Sequence, residues 1–445
     1  MNYEEKLQQV LVLGAAGKMG SGILLLTSME MADISLKPEN KGKEYIIYAL
    51  DVSQQALTGL MKYIRVQLVK AAEKKINVLR NLYADRNDLI DNAEIIDAYV
   101  NDVMNIIRPV TTIESAYEAN IIFEAASENP DLKVKLFSQI NQNSKTEPWF
   151  FTNTSSIPIG YLDKEAGLDG RILGVHFYNP PAVQKLVEVI KAENSKPELS
   201  EFVTRFIKNM RKVEVPSYDF AGFIGNGHFM RDALFGMELL DRLTGQYSFP
   251  EAVYMVNKVS QDFMIRPMGI FQLIDYVGID VCQFIMKVMK PHVKNEVIHS
   301  PLLDKMMDLN VKGGQYFDGS QKDGFLKYEK GRPVAIYDID KKSYVPIADF
   351  AEKCDAALGS LPAGHAPWRA VVGNRAKDAL LREYFNNMKQ SDSKGAELAL
   401  DYLRRSKEIG ENLVKEKVAY TPEDVNTVLL TGFFHAYGPI NDYIN

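Results

Sequence analysis

The first half of the chain alternates short apolar runs with longer amphipathic stretches, and this alternation constrains the fold more than any other feature. Runs typical of buried strands occupy residues 9–14, 45–50, 120–126, 149–153, 172–177, 186–190 and 212–216. Helical periodicity occupies residues 54–80, 131–141 and 196–211 between them. Strands joined through helices need crossover connections, so this half predicts an α/β domain around a mostly parallel sheet.

The pattern changes near residue 220, after which helical patterns such as 222–243 and 251–262 predominate and predict an all-α domain. Two segments within it, from Pro250 and from Pro422, share Pro-Glu, a later valine, an apolar helix, a glycine turn and Asp-Tyr. Such a repeat indicates a duplicated helical unit, although two amphipathic helices can also match by chance. We therefore predict domains at 1–219, 220–335 and 336–445, the last as a degenerate second copy.

Composition and charge exclude several functional classes. The 445 residues carry a formal net charge of −6, without the clustered Lys and Arg that binding to nucleic acid requires. The polar start of the chain has no secretory signal and no apolar run is long enough to span a membrane, so we expect a cytoplasmic protein without a membrane partner. The two cysteines, Cys282 and Cys354, have no metal ligand at short spacing, so we expect buried spectator thiols and no metal.

A turn with several glycines follows the first predicted strand, in the segment VLVLGAAGKMGSGI at residues 10–23. Small residues there let the backbone approach a pyrophosphate at the N-terminus of the next helix. Strand, glycine turn and helix in this order predict a dinucleotide-binding site. Its residues are Gly14, Ala15, Ala16, Gly17, Lys18, Met19 and Gly20.

Asp51 ends the second predicted strand, where a carboxylate can accept both ribose hydroxyls of NAD and repel the extra phosphate of NADP. We therefore expect NAD as the cofactor. The interval of 31 residues from Gly20 exceeds the roughly 20 that is usual, which indicates a surface insertion in the polar stretch SLKPENKGKE. The alternative is an aspartate that caps a helix beginning near Ser53.

The segment RILGVHFYNPPAVQKLVEVI, residues 171–190, places His176 at the end of one apolar run and Glu188 inside the next. A carboxylate within an apolar strand needs a partner, and histidine is a natural one. Such a pair would fix the imidazole tautomer and leave the other ring nitrogen to take a proton from a substrate hydroxyl. On these residues alone, a buried structural histidine and a catalytic base remain equally open.

Several spaced motifs together resemble the NAD-dependent 3-hydroxyacyl-CoA dehydrogenase family. They are GAAGKMGSGI, FEAASENPDLKVKLF, NTSS, GVHFYNPP, KLVEV, AGFIGN, MGIFQLIDYVGID and DGFLKY, in the family's order over roughly residues 8–330. The intervals of 21 residues from Ser155 to His176, 12 from His176 to Glu188 and 38 from Glu188 to Asn226 fit the family pattern. The resemblance implies an α/β Rossmann-type dinucleotide-binding domain followed by an all-α C-terminal domain.

The resemblance also implies catalytic roles for the matched residues. His176 would be the general base and Glu188 the carboxylate that orients it. Ser155 and Asn226 would contact the reacting oxygen of the substrate, with Ser155 also near the nicotinamide. The implied activity is the NAD-dependent interconversion of (S)-3-hydroxyacyl-CoA and 3-ketoacyl-CoA, within fatty-acid metabolism such as β-oxidation.

Binding roles follow from the same resemblance. Glu128, Lys133 and Asn179 match NAD-contacting positions, and Lys74 falls where the family places a lysine on the CoA phosphates. On its own, Lys74 reads equally as part of a solvated helix face. An acyl-CoA is the implied partner, and the chain would be a homodimer or a pseudo-dimeric monomer.

The chain departs from the family in three places. Ala15 and Ala16 stand where glycines are common. In the segment AGFIGNGH, Ala221 replaces a proline and Gly227 replaces an arginine, and Gly227 indicates a shifted helix start or close packing. The segment DGSQKDGFLKY lacks a clear copy of the family's lysine before Gly-Phe. These departures keep open a non-catalytic protein that binds NAD or acyl-CoA. Another alternative is a different β-hydroxyacid dehydrogenase of Rossmann-plus-helical architecture, whose catalytic-lysine segment we do not find.

Overall fold

A computed structural model of the chain describes residues 2–316 and 319–444. The chain divides into two compact units, Met1–Asp219 and Phe220–Asn445. Each unit has its own apolar core, and each is described by itself. The further boundary at residue 336 stays a prediction.

The first unit is built around an eight-stranded sheet. Its strands are β1 (Gln9–Leu13), β2 (Ile46–Leu50), β3 (Ile107–Val110), β4 (Ile121–Glu124), β5 (Trp149–Thr152), β6 (Ile172–Phe177), β7 (Leu186–Lys191) and β8 (Val213–Tyr218). They lie in the order β3-β2-β1-β4-β5-β6-β7-β8. The strands from β3 to β6 in this order are parallel, β7 is antiparallel to β6, and β8 is parallel to β7. The predicted Rossmann-type sheet is confirmed, with one reversal of direction at β7.

Helices connect most of these strands. They are α1 (Tyr3–Lys6), α2 (Lys18–Ser35), α3 (Gln54–Lys74), α4 (Ile76–Leu82), α5 (Asn92–Ile106), α6 (Pro130–Asn143), α7 (Ile159–Ala166) and α8 (Pro197–Asn209). Strand β1 lies between β2 and β4, so the strand order reverses beside it. The crevice outside the carboxyl ends of strands at such a point is where sheets of this type bind ligands.

Two features of the first unit differ from the predicted elements. Strand β3 was not among them because Arg108 and Pro109 interrupt an apolar run of only four residues. The strand lies at the edge of the sheet, where a proline is tolerated. The predicted helix 54–80 is divided between α3 and α4 at Lys75, whose ammonium lies 2.6 Å from both an Asp33 carboxylate oxygen and the Tyr99 hydroxyl. Part-buried side-chain contacts, which periodicity does not reveal, therefore lie at this boundary.

The second unit is mainly helical. Its helices are α9 (Phe223–Leu243), α10 (Phe249–Lys258), α11 (Ile270–Val277), α12 (Ile279–Met289), α13 (Pro301–Asp308), α14 (Ala351–Leu358), α15 (Trp368–Val372), α16 (Lys377–Lys389), α17 (Lys394–Lys415) and α18 (Pro422–Gly432). This confirms the predicted helical domain. Within the described ranges, no helix combines the length and the apolar character needed to cross a lipid bilayer.

A small antiparallel sheet also belongs to the second unit and was not predicted. Its strands are β9 (Leu326–Glu329), β10 (Arg332–Asp338) and β11 (Ser343–Pro346). Lys330 and Gly331 form the turn between the first two strands, with φ of 49° and 76°. Asp275 of α11 anchors this sheet, because its buried carboxylate accepts the backbone N–H groups of Phe325 at 2.7 Å and Leu326 at 2.8 Å.

The two segments of the predicted repeat share a local arrangement. Asn257 Oδ1 accepts the N–H of Gln272 at 3.0 Å, and a Cβ on Gly269 would lie 2.3 Å from that oxygen. Asn426 Oδ1 accepts the N–H of Ile440 at 3.0 Å, and a Cβ on Gly438 would lie 2.2 Å from it. Asparagine and glycine are 12 residues apart in both segments. This similarity supports the repeat, while duplication of the whole helical unit stays a prediction.

Gly227 and His228, near the start of α9, have structural explanations. A Cβ on Gly227 would lie 3.2 Å from Leu413 Cδ2 of α17, so the glycine allows these helices to pack closely. His228 is buried, and its Nε2 lies 3.1 Å from the carbonyl oxygen of Ser406. Burial lowers the pKa of His228. Close packing therefore explains the GNGH departure within this unit.

Candidate active site

The turn after β1 depends on backbone contacts that leave no room for side chains. Gly14 has φ of 71°, and a Cβ there would lie 2.6 Å from the carbonyl oxygen of Ala125. A Cβ on Gly20, in the first turn of α2, would lie 2.0 Å from the carbonyl oxygen of Gly14. Both positions therefore require glycine. The result is a bare backbone turn at the carboxyl end of β1.

Helix α2 begins directly after this turn, with Gly17 as its N-cap residue and Lys18 and Met19 as its first two residues. No side chain caps the helix, so its positive dipole end favours an anionic group. Ala15 and Ala16 are not among the residues of positive φ. Alanine therefore fits where glycine is common, and the binding of a pyrophosphate at this turn stays a prediction.

Asp51 directly follows β2 and lies against the glycine turn. Its Oδ2 accepts the N–H of Ala16 at 3.0 Å. Helix α3 is capped by Ser53 itself, whose hydroxyl accepts the N–H of Ala56 at 3.2 Å, while the contact of Asp51 with the Ser53 N–H is 3.5 Å long. Asp51 is thus bound to the turn, as a ribose-binding carboxylate would be, and the helix has another cap.

A buried ionic network joins the ends of β4 and β5. Glu124, fully buried at the end of β4, accepts the Thr152 hydroxyl and the Lys133 ammonium, each at 2.6 Å. Lys133 Nζ also lies 3.3 Å from Glu128, while only 1% of that lysine is exposed. Burial opposes the charge on Lys133, but the two glutamates outweigh it and raise its pKa. The structure therefore places Lys133 inside a bridge between two carboxylates.

Glu128 organises the segment that carries Ser155. Its Oε1 accepts the backbone N–H of Ser155 at 3.0 Å and the Ser156 hydroxyl at 3.3 Å. It also accepts the Thr154 hydroxyl in a short hydrogen bond. Glu128, which follows β4, therefore fixes the polar segment that follows β5, and both lie at the same edge of the sheet.

His176 and Glu188 face each other across the antiparallel pair β6 and β7, in direct register. His176 Nδ1 lies 3.0 Å from Glu188 Oε2. Glu188 is fully buried, and His176 is 8% exposed. An ionised carboxylate can only accept a hydrogen bond, so a neutral imidazole paired with it would carry its hydrogen on Nδ1 and its lone pair on Nε2. This geometry is the one that the predicted base requires.

A third side chain, Tyr178, joins this pair. Its hydroxyl donates to the same Oε2 of Glu188 at 2.8 Å, and its ring centroid lies 4.8 Å from that of His176. Sequence reasoning missed Tyr178, although residues two apart on an extended chain lie on the same side. That spacing from His176 was the available signal.

The loop that carries Asn179 is held from two sides. Lys212 donates from Nζ to the carbonyl oxygens of Pro181 and Gln184, each at 2.6 Å, and burial lowers its pKa to about 8. Pro181 packs on Gly22 of α2, where a Cβ would lie 2.8 Å from the proline ring. Asn179 is therefore on a loop fixed against the helix that follows the glycine turn.

Two further predicted residues, Lys74 and Asn226, lie on helices. Lys74 is exposed at the last position of α3, while the adjacent Lys75 is engaged by Asp33 and Tyr99. Asn226 lies near the start of α9, in the second unit, and its catalytic role stays a prediction. The described residues contain no group of three or more His, Cys, Asp or Glu side chains placed to hold a metal ion.

Comparison with protein families gives two matches. The NAD-binding domain of 3-hydroxyacyl-CoA dehydrogenase matches residues 9–220, and the C-terminal domain of the same enzyme matches residues 250–328. Together the matched regions cover more than half of the chain.

Similar individual proteins carry related names. A probable 3-hydroxybutyryl-CoA dehydrogenase of Bacillus subtilis is 30% identical over 73% of this chain and 99% of the relative. The human mitochondrial hydroxyacyl-coenzyme A dehydrogenase is 27% identical over 72% of this chain and 91% of the relative. The crystal structure of 3-hydroxybutyryl-CoA dehydrogenase from Escherichia coli K12 has a TM-score of 0.63 at 20% identity, covering 98% of this chain and 90% of that one. At 20% identity, the structural likeness shows a shared fold and nothing further.

Replacement of Gly14 tests the backbone turn. We expect Gly14→Ala to weaken NADH binding by about tenfold or more, because a Cβ would clash with Ala125 and disfavour the required φ. Fluorescence titration with NADH measures the Kd. Gly59→Ala is the control: Gly59 is exposed on α3 with nothing within 4 Å of an added Cβ, so its Kd should not change. Unchanged affinity in Gly14→Ala would place the dinucleotide elsewhere.

Replacement of Lys133 tests the buried network. We expect Lys133→Met to lower the free energy of unfolding by about 3–5 kcal/mol, because Glu124 stays buried without its cation. Urea denaturation followed by circular dichroism measures this loss. Lys135→Met, at an exposed position of the same helix, should change stability by less than about 0.5 kcal/mol.

The network also has a predicted pH dependence. The pKa of Lys133 is raised on folding, so its contribution is fully present below the unfolded value of about 10.4 and is lost as pH rises through the folded value. The stability difference between wild type and Lys133→Met should therefore be constant near neutral pH and shrink above about pH 10.4. Equal stability of the two proteins at neutral pH would contradict a charged bridge.

Proposed function

This chain belongs to the 3-hydroxyacyl-CoA dehydrogenase family, and we propose that it interconverts (S)-3-hydroxyacyl-CoA and 3-ketoacyl-CoA with His176 as the general base. It is an oxidoreductase, and NAD is its cofactor. The observation that carries the proposal is the direct pairing of His176 with the buried carboxylate of Glu188. A carboxylate that accepts from Nδ1 would leave Nε2 as the proton acceptor that a general base requires.

The first unit has the features that NAD requires. Gly14 and Gly20 leave the backbone bare at the start of α2, where a pyrophosphate would be held, and the Asp51 carboxylate beside this turn would accept the ribose hydroxyls. Asn179 would contribute from its fixed loop. Glu128 and Lys133 would act beside the nicotinamide end, through the segment that Glu128 organises. When bound, NAD supplies the acceptor for the hydride of the substrate.

His176 handles the proton in this mechanism. In the oxidative direction its Nε2 would take the proton of the 3-hydroxyl group, while Nδ1–H stays bonded to Glu188. Glu188 would stabilise the imidazolium that forms, without itself changing protonation. In the reductive direction the imidazolium would return the proton from Nε2 to the forming alkoxide.

Other side chains would place the substrate. We assign Ser155 and Asn226 to the reacting oxygen and Lys74 to the CoA phosphates. The assignment of Ser155 is supported by its backbone N–H, which donates to Glu128 and so fixes the segment. The assignment of Lys74 is supported by its exposure on α3. Asn226 rests on the family pattern alone. The name of the Bacillus subtilis relative, a probable 3-hydroxybutyryl-CoA dehydrogenase, favours a short acyl chain, such as 3-hydroxybutyryl.

We also predict a role in β-oxidation, a cytoplasmic location, and a homodimeric or pseudo-dimeric state. The competing assignment to another type of β-hydroxyacid dehydrogenase is weakened by the two matched domain families. The alternative of a protein that binds without catalysis is weakened by the same matches and by the presence of an oriented base.

Replacement of His176 tests the proposal. With NADH and acetoacetyl-CoA, His176→Ala should lower kcat by roughly 10²–10⁴ and leave the Kd for NADH nearly unchanged, because only the proton transfer is removed. Steady-state consumption of NADH and fluorescence titration measure the two quantities.

The exposed His292 offers a matched control, since His292→Ala should retain the wild-type kcat. A wild-type protein inactive on short, medium and long 3-ketoacyl-CoA would contradict the proposed substrate class. Full activity of His176→Ala would contradict the proposed base. The same assay with NADPH tests whether Asp51 selects NAD.

A further inference from the structure

Glu188 carries two hydrogen bonds on a single oxygen. Its Oε2 lies 3.0 Å from His176 Nδ1 and 2.8 Å from the Tyr178 hydroxyl. The Tyr178 ring is tilted by 40° from the imidazole, with the ring centroids 4.8 Å apart. The family resemblance assigns no role to Tyr178. Its hydroxyl is nonetheless in direct contact with the group that orients the base.

The surroundings of Glu188 make each donor important. Glu188 is fully buried, its neighbours Val187 and Val189 on β7 are fully buried, and Val215 opposite it on β8 is 2% exposed. The titratable side chains in contact with Glu188 include His176 from β6 and Tyr178 just beyond that strand. The ammonium of Lys212 lies 5.9 Å from the centroid of the Phe177 ring. Because successive side chains of a strand point to opposite faces, Phe177 lies on the face of β6 opposite to His176.

Tyr178 acts as a permanent donor. Burial, followed by the charge of Glu188, raises the pKa of Tyr178 well above its usual value. The hydroxyl therefore keeps its hydrogen throughout the pH range in which histidine titrates. A hydrogen bond to a charged acceptor favours the ionised form of that acceptor and disperses its charge.

We propose that Tyr178 is a positioning residue that fixes Glu188 Oε2 opposite His176 and moderates the basicity that Glu188 confers on the imidazole. The inference rests on the proposed function of His176 as the general base. With the hydroxyl in place, Oε2 is shared between Tyr178 and His176, and it stabilises the imidazolium less strongly than it would without the Tyr178 hydrogen bond. The base then releases its proton at a lower pH and is available for oxidation over a wider range.

Removal of the hydroxyl alone tests this inference. Tyr178→Phe keeps the aromatic contact with His176. We expect the acid limb of the kcat/KM profile for oxidation, and the basic limb for reduction, to move to higher pH by about half to one unit. In the reductive reaction at high pH, kcat would then exceed the wild-type value, which a merely structural loss does not produce. Tyr161→Phe, at an exposed position of α7, should leave both profiles unchanged.

A second readout does not depend on activity. Proton NMR of the imidazole signal of His176 in the free protein should show its titration midpoint moving up by the same amount in Tyr178→Phe. In a Glu188→Gln background, adding Tyr178→Phe should produce no further shift, because the hydroxyl acts through the carboxylate. A shift of equal size in that background would overturn the inference.

Two further outcomes distinguish a failure of this inference from a failure of the proposed function. If wild type reduces acetoacetyl-CoA while Tyr178→Phe shows neither a shifted profile nor a shifted NMR midpoint, Tyr178 has no role beyond packing and the inference fails alone. If wild type reduces no 3-ketoacyl-CoA, the proposed function itself fails. In that case an upward NMR shift would still support the coupling of Tyr178 to His176 through Glu188.

Discussion

The hydrogen bond between Glu188 and His176 is the interaction on which this site depends. A fully buried carboxylate is unfavourable unless donors surround it, and the antiparallel register of β6 and β7 supplies one by placing His176 directly opposite. The reversal of strand direction at β7 is therefore more than a variation of topology. It brings the middle of one strand to the carboxyl end of another, so that a buried acid and a nearly buried base can pair at the edge where ligands bind.

The rest of that edge is assembled from the ends of parallel strands. β1 is followed by the glycine turn, β2 by Asp51 and β5 by the polar segment with Ser155, while β4 ends in Glu124. Hydrogen bonds link these ends to one another: Asp51 to Ala16, Glu124 to Thr152, and Asn153 to the backbone of Phe177 at 2.8 Å. If the proposed roles hold, the groups at this edge are already fixed by neighbouring strands, which would limit the reorganisation that catalysis requires.

Sequence patterns were sufficient to predict much of this architecture, but not the side-chain contacts that join its elements. The apolar runs located seven of the strands, and the order of strand, turn and helix located the dinucleotide turn, because both follow from local chemistry. Strand β3 and the three-stranded sheet were missed, since their short runs contain proline or charged residues. The network of Glu124 and Lys133 and the contacts of Lys212 join residues on different elements, so no local pattern reveals them. For the second donor, Tyr178, the spacing of two residues from His176 was the only local signal. For the pair of His176 and Glu188, the residues alone left core and catalysis equally open, and the register decided their geometry.

The tautomer of His176 tests the central claim most directly. Nitrogen-15 NMR of the free protein, with His176→Gln used to assign the signal, reports which ring nitrogen carries the hydrogen in the neutral imidazole. The account predicts a protonated Nδ1 bonded to Glu188 and an unprotonated Nε2 able to receive the substrate's proton. A neutral His176 with its hydrogen on Nε2 would contradict the account, because it could neither donate to Glu188 nor act as the base.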